Sequence, residues 1–520
     1  DYEITSPRNE KVASGKATLN EYGSFWAELP LMTSMPLGAY HVTFKIGEDW
    51  IGSAQLFRLE EYKLPEFTVS VKTPEEDGKR KLYRLGDTIE ATIEASYYFG
   101  GPVANAEVEV VVSQLPYYRP YPWREYDWYF PRPYHYLAPT VVKRETLRTD
   151  ANGRATVRID TQRDGNETEY VIEARVVDAS RREVRGQGTV RVLKQRYTVI
   201  AMPEHFIHRP GEQVEVDFKA VDANDQPVQT TGTVKVTRRT WRGEPPVVPV
   251  ERRRDPRLRP PGGYEDEEVL TTTVTTDAKG EASFTFTPKT TGYYRIQWTS
   301  EDRDPDQRTR VRDLVTTETT VWVADRATTD LGYRATSSGI EVIIDKETVR
   351  EGETASAIVV TPSSGRWAVL TLFGDDILDT QVLRLDGTAK LVQVRVEEQH
   401  APNFFVTATS IFDRVLSTDT ERIVVPPVEH FIDVEVKADR EEYGPRQEGT
   451  VTVTTRDENG RPVAAEVALA VSDEAVTAIQ QDPAGDPRRF FFNETRTSML
   501  HVSGSAQSQQ YVRLVENEEK

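Results

Sequence analysis

Few residues of this chain have the types and spacing that catalysis or metal binding requires. Of the seven histidines, only His205 and His208 lie close together, and no further ligands follow at the spacings of a zinc site. We therefore favour a structural role for them. No nucleophile elbow, zinc-protease motif, phosphate loop or dinucleotide fingerprint is present. Acidic pairs such as Asp375–Asp376 are expected by chance in a chain this acidic. The sequence predicts no enzyme, no metal site and no cofactor.

The chemistry that the sequence does support is cleavage of the chain itself. Residues 485–513 mix arginines, large apolar residues and a small polar run, which suit trypsin-like, chymotrypsin-like and elastase-like pockets respectively. A protease needs an exposed strand that it can hold extended, and S-G-S-A-Q-S-Q-Q from Ser503 has that composition. The candidate cleavage residues are Arg488, Arg489, Arg496, Leu500, Tyr511 and Arg513.

Two alternatives to a fully cleavable segment remain open. The whole stretch could be an ordinary terminus without special function. In a narrower version, Pro487–Phe492 packs as a structural lead-in and only the part beyond about Thr497 is open to proteases. We prefer this narrower version, and we expect cuts after Arg496 or near Leu500–Tyr511.

Composition excludes several classes of protein. At 520 residues the chain is too long for one core, and domain sizes predict roughly four or five domains. A net charge of −19 argues against nucleic-acid binding. No run approaches the ~20 apolar residues of a membrane span, so we expect no membrane contact. The chain has no cysteine, which excludes disulfides, thiolate sites and an internal Cys–Gln thioester.

Two recurring signatures organise the chain into β domains. An opening signature places Gly-Asp or Gly-Glu before an alternating strand, as in Y-R-L-G-D-T-I-E-A-T-I from Tyr83. A closing signature, T-D-x-x-G-x-A, starts at Thr149 and again at Thr276 and predicts a hairpin turn. Opening signals ~100 residues apart, with scarce helical periodicity, predict an all-β fold of tandem antiparallel β-sandwiches like those of immunoglobulin and fibronectin type III domains.

These signatures give provisional domain limits. No opening signature precedes the first closing one, so we expect Asp1 to lie inside a domain and the chain to be a piece of a longer protein. The predicted parts are 1–58 (end of a sandwich), 59–193, 194–325, 326–427, 428–479 (first part of a sandwich) and 480–520 (extended segment).

Two predicted insertions interrupt the sandwiches. Residues 116–139 are dense in proline and aromatic side chains, among them Trp123, Trp128 and Tyr129. Aromatic and arginine side chains are enriched in binding surfaces, so this insertion is either an interaction surface or a long hairpin loop folded onto its own sandwich. The charged and proline-rich residues 241–268 are better explained as a solvated loop.

Three stretches, in this order, resemble the alpha-2-macroglobulin family: F-R-L-E-E-Y-K-L-P-E-F (Phe57–Phe67), Y-Y-F-G-G-P-V-A-N-A-E-V-E-V (Tyr97–Val110) and A-L-A-V-S-D-E-A-V (Ala468–Val476). The lack of cysteine suits a bacterial-type member. The resemblance implies that the parts are the end of the second macroglobulin domain, the third, fourth and fifth domains, the start of the sixth, and the bait region. Bacterial members carry extra N-terminal domains, so this numbering can shift.

The family resemblance also implies a function. Members are endopeptidase inhibitors: a protease cuts the bait, strain stored across the domains is released, and the molecule closes on the protease. The implied partners are target proteases and the remainder of the same chain, including a thioester-type domain that this sequence lacks. The implied location is extracytoplasmic, periplasmic or secreted, with a membrane anchor left open. The alternative is an adhesive or structural β-sandwich rod that binds a surface ligand through residues 116–139.

Overall fold

The computed structural model describes residues 1–470 and Arg496, apart from short interruptions. The interruptions are 60–66, 77, 99, 118–138, 163–164, 243–262, 303–312, 336–338, 413–414, 441 and 445–446. The chain divides into two compact units, one of residues 1–66 with 429–491 and one of residues 67–428 with 492–520. The first unit thus combines residues 1–66 with residues 429–491, which the sequence analysis assigned to separate domains. The domain limits given there stay a prediction.

The chain begins with a four-stranded antiparallel sheet. Its strands are β1 (Tyr2–Thr5), β2 (Lys11–Gly15), β3 (Gly38–Ile46) and β4 (Asp49–Leu59), in the order β2-β1-β3-β4. Its fully buried apolar residues are few, namely Ile4, Tyr40 and Val42. Tyr40 stacks on Phe57 of the neighbouring strand with ring centroids 4.8 Å apart. In the same unit, Asn20 Nδ2 donates a 2.7 Å hydrogen bond to Glu466 Oε1.

The first sandwich follows in residues 67–193. Its strands are β5 (Phe67–Lys72), β6 (Glu75–Glu76), β7 (Lys79–Arg80), β8 (Tyr83–Arg84), β9 (Thr88–Tyr97), β10 (Glu107–Pro116), β11 (Thr140–Arg148), β12 (Arg154–Asp160), β13 (Thr168–Val177) and β14 (Glu183–Leu193). A sheet of order β12-β9-β5 faces one of order β11-β10-β13-β14-β8, and β6 and β7 form a separate short hairpin. Alternate residues such as Ile93, Val110 and Ile172 are fully buried between the two sheets.

The second sandwich repeats this plan in residues 197–323. Its strands are β15 (Tyr197–Pro203), β16 (Ile207–His208), β17 (Val214–Asp222), β18 (Thr231–Arg242), β19 (Gly263–Thr275), β20 (Glu281–Phe286), β21 (Gly292–Asp302) and β22 (Asp313–Val323). The sheet orders are β15-β17-β20 and β16-β22-β21-β18-β19. Among the described residues, Trp298 is the largest fully buried side chain, and its ring centroid lies 5.0 Å from that of Phe218.

The third sandwich occupies residues 341–424 and carries the site described below. Its strands are β23 (Glu341–Ile344), β24 (Thr354–Val360), β25 (Arg366–Phe373), β26 (Ile377–Leu385), β27 (Ala389–Arg395), β28 (Asn403–Phe412) and β29 (Val415–Val424). The sheet orders are β23-β24-β27 and β26-β25-β28-β29, and a 3₁₀ turn at Glu398–His400 leads into β28. Leu370, Phe404 and Val406 lie in its core.

A two-stranded hairpin, β30 (Asp433–Ala438) and β31 (Val451–Arg456), follows a 3₁₀ turn at Val428–His430. Every residue of β30 is exposed. This hairpin belongs to the same compact unit as β1–β4.

The recurring D-x-x-G turns close their hairpins in the same way each time. Asp150 Oδ1 accepts hydrogen bonds from the backbone N–H groups two and four residues later, at 2.8 and 2.9 Å. Asp277 and Asp457 repeat this geometry. Because the aspartate ties down the turn, the glycine takes a positive φ, +73° at Gly153 and +74° at Gly280. The predicted all-β tandem sandwich fold is confirmed.

Candidate functional site

Only one of the predicted cleavage residues, Arg496, lies among the described residues. The others, Arg488, Arg489, Leu500, Tyr511 and Arg513, lie outside them, as do Trp123, Trp128 and Tyr129 of the predicted interaction surface. The candidate site that the structure describes therefore consists of Arg496 and of the side chains and carbonyl groups that form hydrogen bonds with it.

The backbone of Arg496 pairs with one buried side chain. The Arg496 N–H donates a 2.9 Å hydrogen bond to Asn403 Oδ1, and Asn403 Nδ2 donates a 3.3 Å bond to the Arg496 carbonyl. Asn403 is fully buried. Its amide thus satisfies both the backbone donor and the backbone acceptor of one residue, as a neighbouring strand would.

The guanidinium group of Arg496 makes a second set of contacts. Its Nη1 donates to the carbonyls of Asn403 and Gln399 at 2.9 and 3.1 Å, and its Nε donates to Asp375 Oδ2 at 2.8 Å. The Arg496 side chain is 17% exposed, whereas that of Asp375 is 78% exposed. Since an exposed ion pair contributes little stability, the carbonyls and the buried Asn403 hold the residue more than Asp375 does.

Strand pairing explains why these groups meet. In the antiparallel pair of β25 and β28, Phe373 faces Phe405, so the end of β25 lies beside the start of β28. The two rings stack with centroids 5.0 Å apart. Asn403 begins β28, and the turn at residues 374–376 follows β25, where Gly374 N–H bonds to the Asp376 carbonyl at 2.9 Å. The turn at 374–376 and the start of β28 therefore lie side by side at one end of the third sandwich. This end, formed by the ends of two inner strands, is the edge that holds Arg496.

This geometry bears on the expected cut after Arg496. A trypsin-like protease must draw the arginine side chain into its own pocket, but here the guanidinium already donates three hydrogen bonds and the backbone two more contacts to Asn403. Cleavage at this bond requires the residue to leave Asn403 first. The cut after Arg496 stays a prediction. Among the candidate cleavage residues, Arg496 is the one whose contacts the structure describes.

The two neighbouring histidines join the second and third sandwiches. His205 Nδ1 lies 2.7 Å from Asp345 Oδ2, and the other Asp345 oxygen accepts from Ile207 N–H at 2.8 Å. The hydrogen bond to Asp345 raises the pKa of His205 above its ordinary value. Burial lowers the pKa of His208, whose Nε2 lies 2.7 Å from the His205 carbonyl. These contacts give both histidines a structural role.

In the described part of the chain, no group of three or more histidine and acidic side chains is arranged to hold a metal ion. No described helix has the length and apolar character needed to cross a membrane.

Sequence reasoning missed the residues that hold Arg496. Asn403 is one asparagine among several, and its partner lies 93 residues away in the chain. The His205–Asp345 contact spans 140 residues and was missed for the same reason. Asp375 was noticed only as half of an acidic pair. The glycine beside it, Gly374, was the available signal, because a glycine next to a short acidic turn marks a place of close approach.

The fold defines the class of protein, a tandem array of antiparallel β-sandwiches, and comparison with known proteins shows which family it is similar to. The family model of the alpha-2-macroglobulin bait region domain matches residues 340–479. An alpha-2-macroglobulin homolog of Nostoc sp. is 24% identical over 92% of this chain and 25% of its own length. The alpha-2-macroglobulin of Thermotoga maritima is 22% identical over 92% of this chain and 26% of its own length.

The chain is therefore similar to alpha-2-macroglobulins along most of its length. It spans only about a quarter of the length of these curated relatives. Among solved structures, the trypsin-activated alpha-2-macroglobulin of Escherichia coli matches 95% of this chain and 33% of its own, with 13% identity and a TM-score of 0.43.

Proposed function

We propose that this chain is the scaffold and bait-bearing part of a broad-spectrum endopeptidase inhibitor. The observation that carries the proposal is the position of the bait region domain match. It covers residues 340–479, and the cleavable residues 485–513 follow directly. The third sandwich and the exposed hairpin then serve as frame, and the segment after them is the stretch that a protease cuts.

A cut in that segment would act as the trigger of the inhibitor. Among the described residues, the cores of the three sandwiches are built from residues between 67 and 425. We therefore expect the sandwiches to stay folded after the cut, so that the cut changes how the segment is held. Trapping of the protease then requires the remainder of the longer protein, including the thioester-type domain implied by the family. Target proteases are the proposed partners, and an extracytoplasmic location remains part of the proposal.

The mixture of side chains makes a specific experiment possible. Brief digestion with chymotrypsin should cut near Tyr511, and the Tyr511→Asp substitution should abolish that cut, because a charged side chain does not enter an apolar pocket. Elastase cutting within 503–508 of the same variant is the matched control and should be unchanged. Chymotrypsin cuts that are the same with and without Tyr511 would count against the assignment of this residue.

A further inference from the structure

The edge of the third sandwich that holds Arg496 has the features of a built binding site. Asn403 is fully buried, yet both polar atoms of its side-chain amide are aimed at the backbone of a residue 93 positions away. A buried amide without partners is strongly disfavoured. The orientation of the Asn403 amide therefore shows what the site is shaped to bind, namely the backbone N–H and carbonyl of one residue.

A second feature of the edge selects the side chain. The carbonyls of Gln399 and Asn403 and the Asp375 carboxylate surround the guanidinium with acceptors only. Arginine presents five N–H donors spread over a planar fork, and here Nη1 reaches two carbonyls while Nε reaches a carboxylate. Lysine presents its donors from a single nitrogen atom and lacks this fork. The donor pattern fits arginine.

Gly374 supplies the space that the arginine occupies. A Cβ atom at this position would lie 2.9 Å from Arg496 Nη1, 3.0 Å from Cζ and 3.1 Å from Cδ. The φ of Gly374 lies outside the left-handed region, so an alanine is compatible with the backbone there. A side chain at this position would therefore displace the guanidinium from its present contacts, and the turn itself does not need a glycine.

We propose that Asn403, Gln399, Asp375 and Gly374 form a receptor site for an arginine in an extended peptide, which Arg496 fills within this chain. The site anchors the segment that follows the hairpin to the third sandwich and protects the bond after Arg496 from trypsin-like enzymes. This inference rests on the proposed bait function, because the anchor would mark the boundary between the residues held by the third sandwich and the segment that proteases cut. Arg496 is then an anchor and not a cleavage residue.

The first test compares two glycine-to-alanine substitutions by trypsin digestion and mass spectrometry. Gly374→Ala should raise the rate of cutting after Arg496, relative to the cut after Arg513, at least about tenfold. Gly263→Ala is the matched control, because a Cβ there meets nothing within 4 Å, and it should leave the ratio unchanged. Equal cutting at Arg496 and Arg513 in the unsubstituted chain would overturn the proposal.

The second test needs no protease. In the Arg496→Gln variant the acceptors of the guanidinium group are freed, and the peptide T-R-T-S-M, residues 495–499, is added at millimolar concentration, which matches the effective concentration of a tethered segment. Saturable shifts of the Asn403 side-chain amide in NMR spectra are expected. The peptide T-Q-T-S-M keeps only the backbone contacts to Asn403 and should bind at least about tenfold more weakly, and T-R-T-S-M should bind a Gly374→Ala, Arg496→Gln double variant at least about tenfold more weakly. Identical shifts with both peptides would refute the site.

The two tests separate the anchor from the bait function. If T-R-T-S-M binds but no protease cuts within residues 485–513, the receptor site stands and the bait function is wrong. If cuts do fall there but Arg496 is cut as readily as Arg513, the bait function stands and the anchor is wrong.

Discussion

Strands β21 and β30 have the same alternating pattern but opposite burial. In β21 every second residue is buried, and Trp298 is fully so, because a second sheet lies across from it. In β30 the apolar residues Val434 and Val436 are 56% and 58% exposed. Among the described residues, β30 pairs with β31 alone. Alternation therefore predicts a strand, whereas burial depends on a partner sheet that the alternation does not specify.

The largest expected difference in stability between the two regions comes from replacing one valine in each region by aspartate. Val216→Asp would bury an unpaired carboxylate in the second sandwich, where Val216 is fully buried. We expect this change to lower the free energy of unfolding of that sandwich by roughly 3–5 kcal/mol. Val436→Asp, on the exposed hairpin, should change it by less than ~0.5 kcal/mol. Urea unfolding followed by circular dichroism measures both, and similar losses would show that β30 is covered after all.

A pair of glutamates sharpens the comparison through pH. Burial, together with the nearby carboxylates Asp419, Glu347 and Glu341, raises the pKa of Glu421 in the third sandwich to about 7. A carboxyl whose folded pKa exceeds its unfolded value destabilises the fold as pH rises from ~4.5 through 7. Glu421→Gln should therefore stabilise the protein by about 1–2 kcal/mol at pH 8 and have little effect at pH 4.5.

The matched control for Glu421 lies on the exposed hairpin. The hydrogen bond from Lys437 lowers the pKa of Glu435. Its contribution to stability is therefore present above the unfolded pKa and lost as pH falls, the opposite direction to Glu421. In thermal unfolding at pH 4.5 and 8, Glu421→Gln should raise the melting temperature at pH 8, and Glu435→Gln should not. A gain for both would mean that net charge, and not the buried cluster, is responsible.

The smallest expected effect is at the joint of the second and third sandwiches. The Asp345 contact raises the pKa of His205, so its contribution is fully present below the unfolded value of ~6.5 and is lost as pH rises through the folded pKa. His205→Gln should cost about 1 kcal/mol at pH 5.5, since the side chain is 39% exposed and partly screened.

His208 provides the opposing control at this joint. Burial lowers the pKa of His208, so its stabilising contribution is present above ~6.5 and is lost as pH falls through its folded pKa. The difference in melting temperature between His205→Gln and the unsubstituted chain should shrink from pH 5.5 to pH 8. A difference that grows with pH would place the effect at His208 instead.

Local patterns predicted the local structure well. The D-x-x-G turns form hairpins because an aspartate oxygen and two nearby N–H groups are enough to define them, as at Asp150 and Asp277. The R-D-E-N-G stretch from Arg456 has the same D-x-x-G spacing, and Asp457 closes its turn in the same way.

Long-range contacts could not be predicted in this way. Arg496 is a cleavage candidate by its side-chain type, which says nothing about Asn403 at the start of β28, 93 residues away in the chain. The joining of residues 429–491 to residues 1–66 in one compact unit has no local signal either. Such pairings depend on which surfaces remain exposed after each sandwich has formed. Short sequence patterns do not specify those surfaces.

The most direct test of the central claim is the mass of the first large product that several proteases release from the chain. Trypsin, chymotrypsin and elastase would each be used briefly, with products measured by intact mass spectrometry. The bait function predicts that all three enzymes leave a product that begins at Asp1 and ends between residues 485 and 513. First cuts within residues 116–139 or 241–268, with the terminal segment intact, would contradict it and favour an adhesive β-sandwich rod.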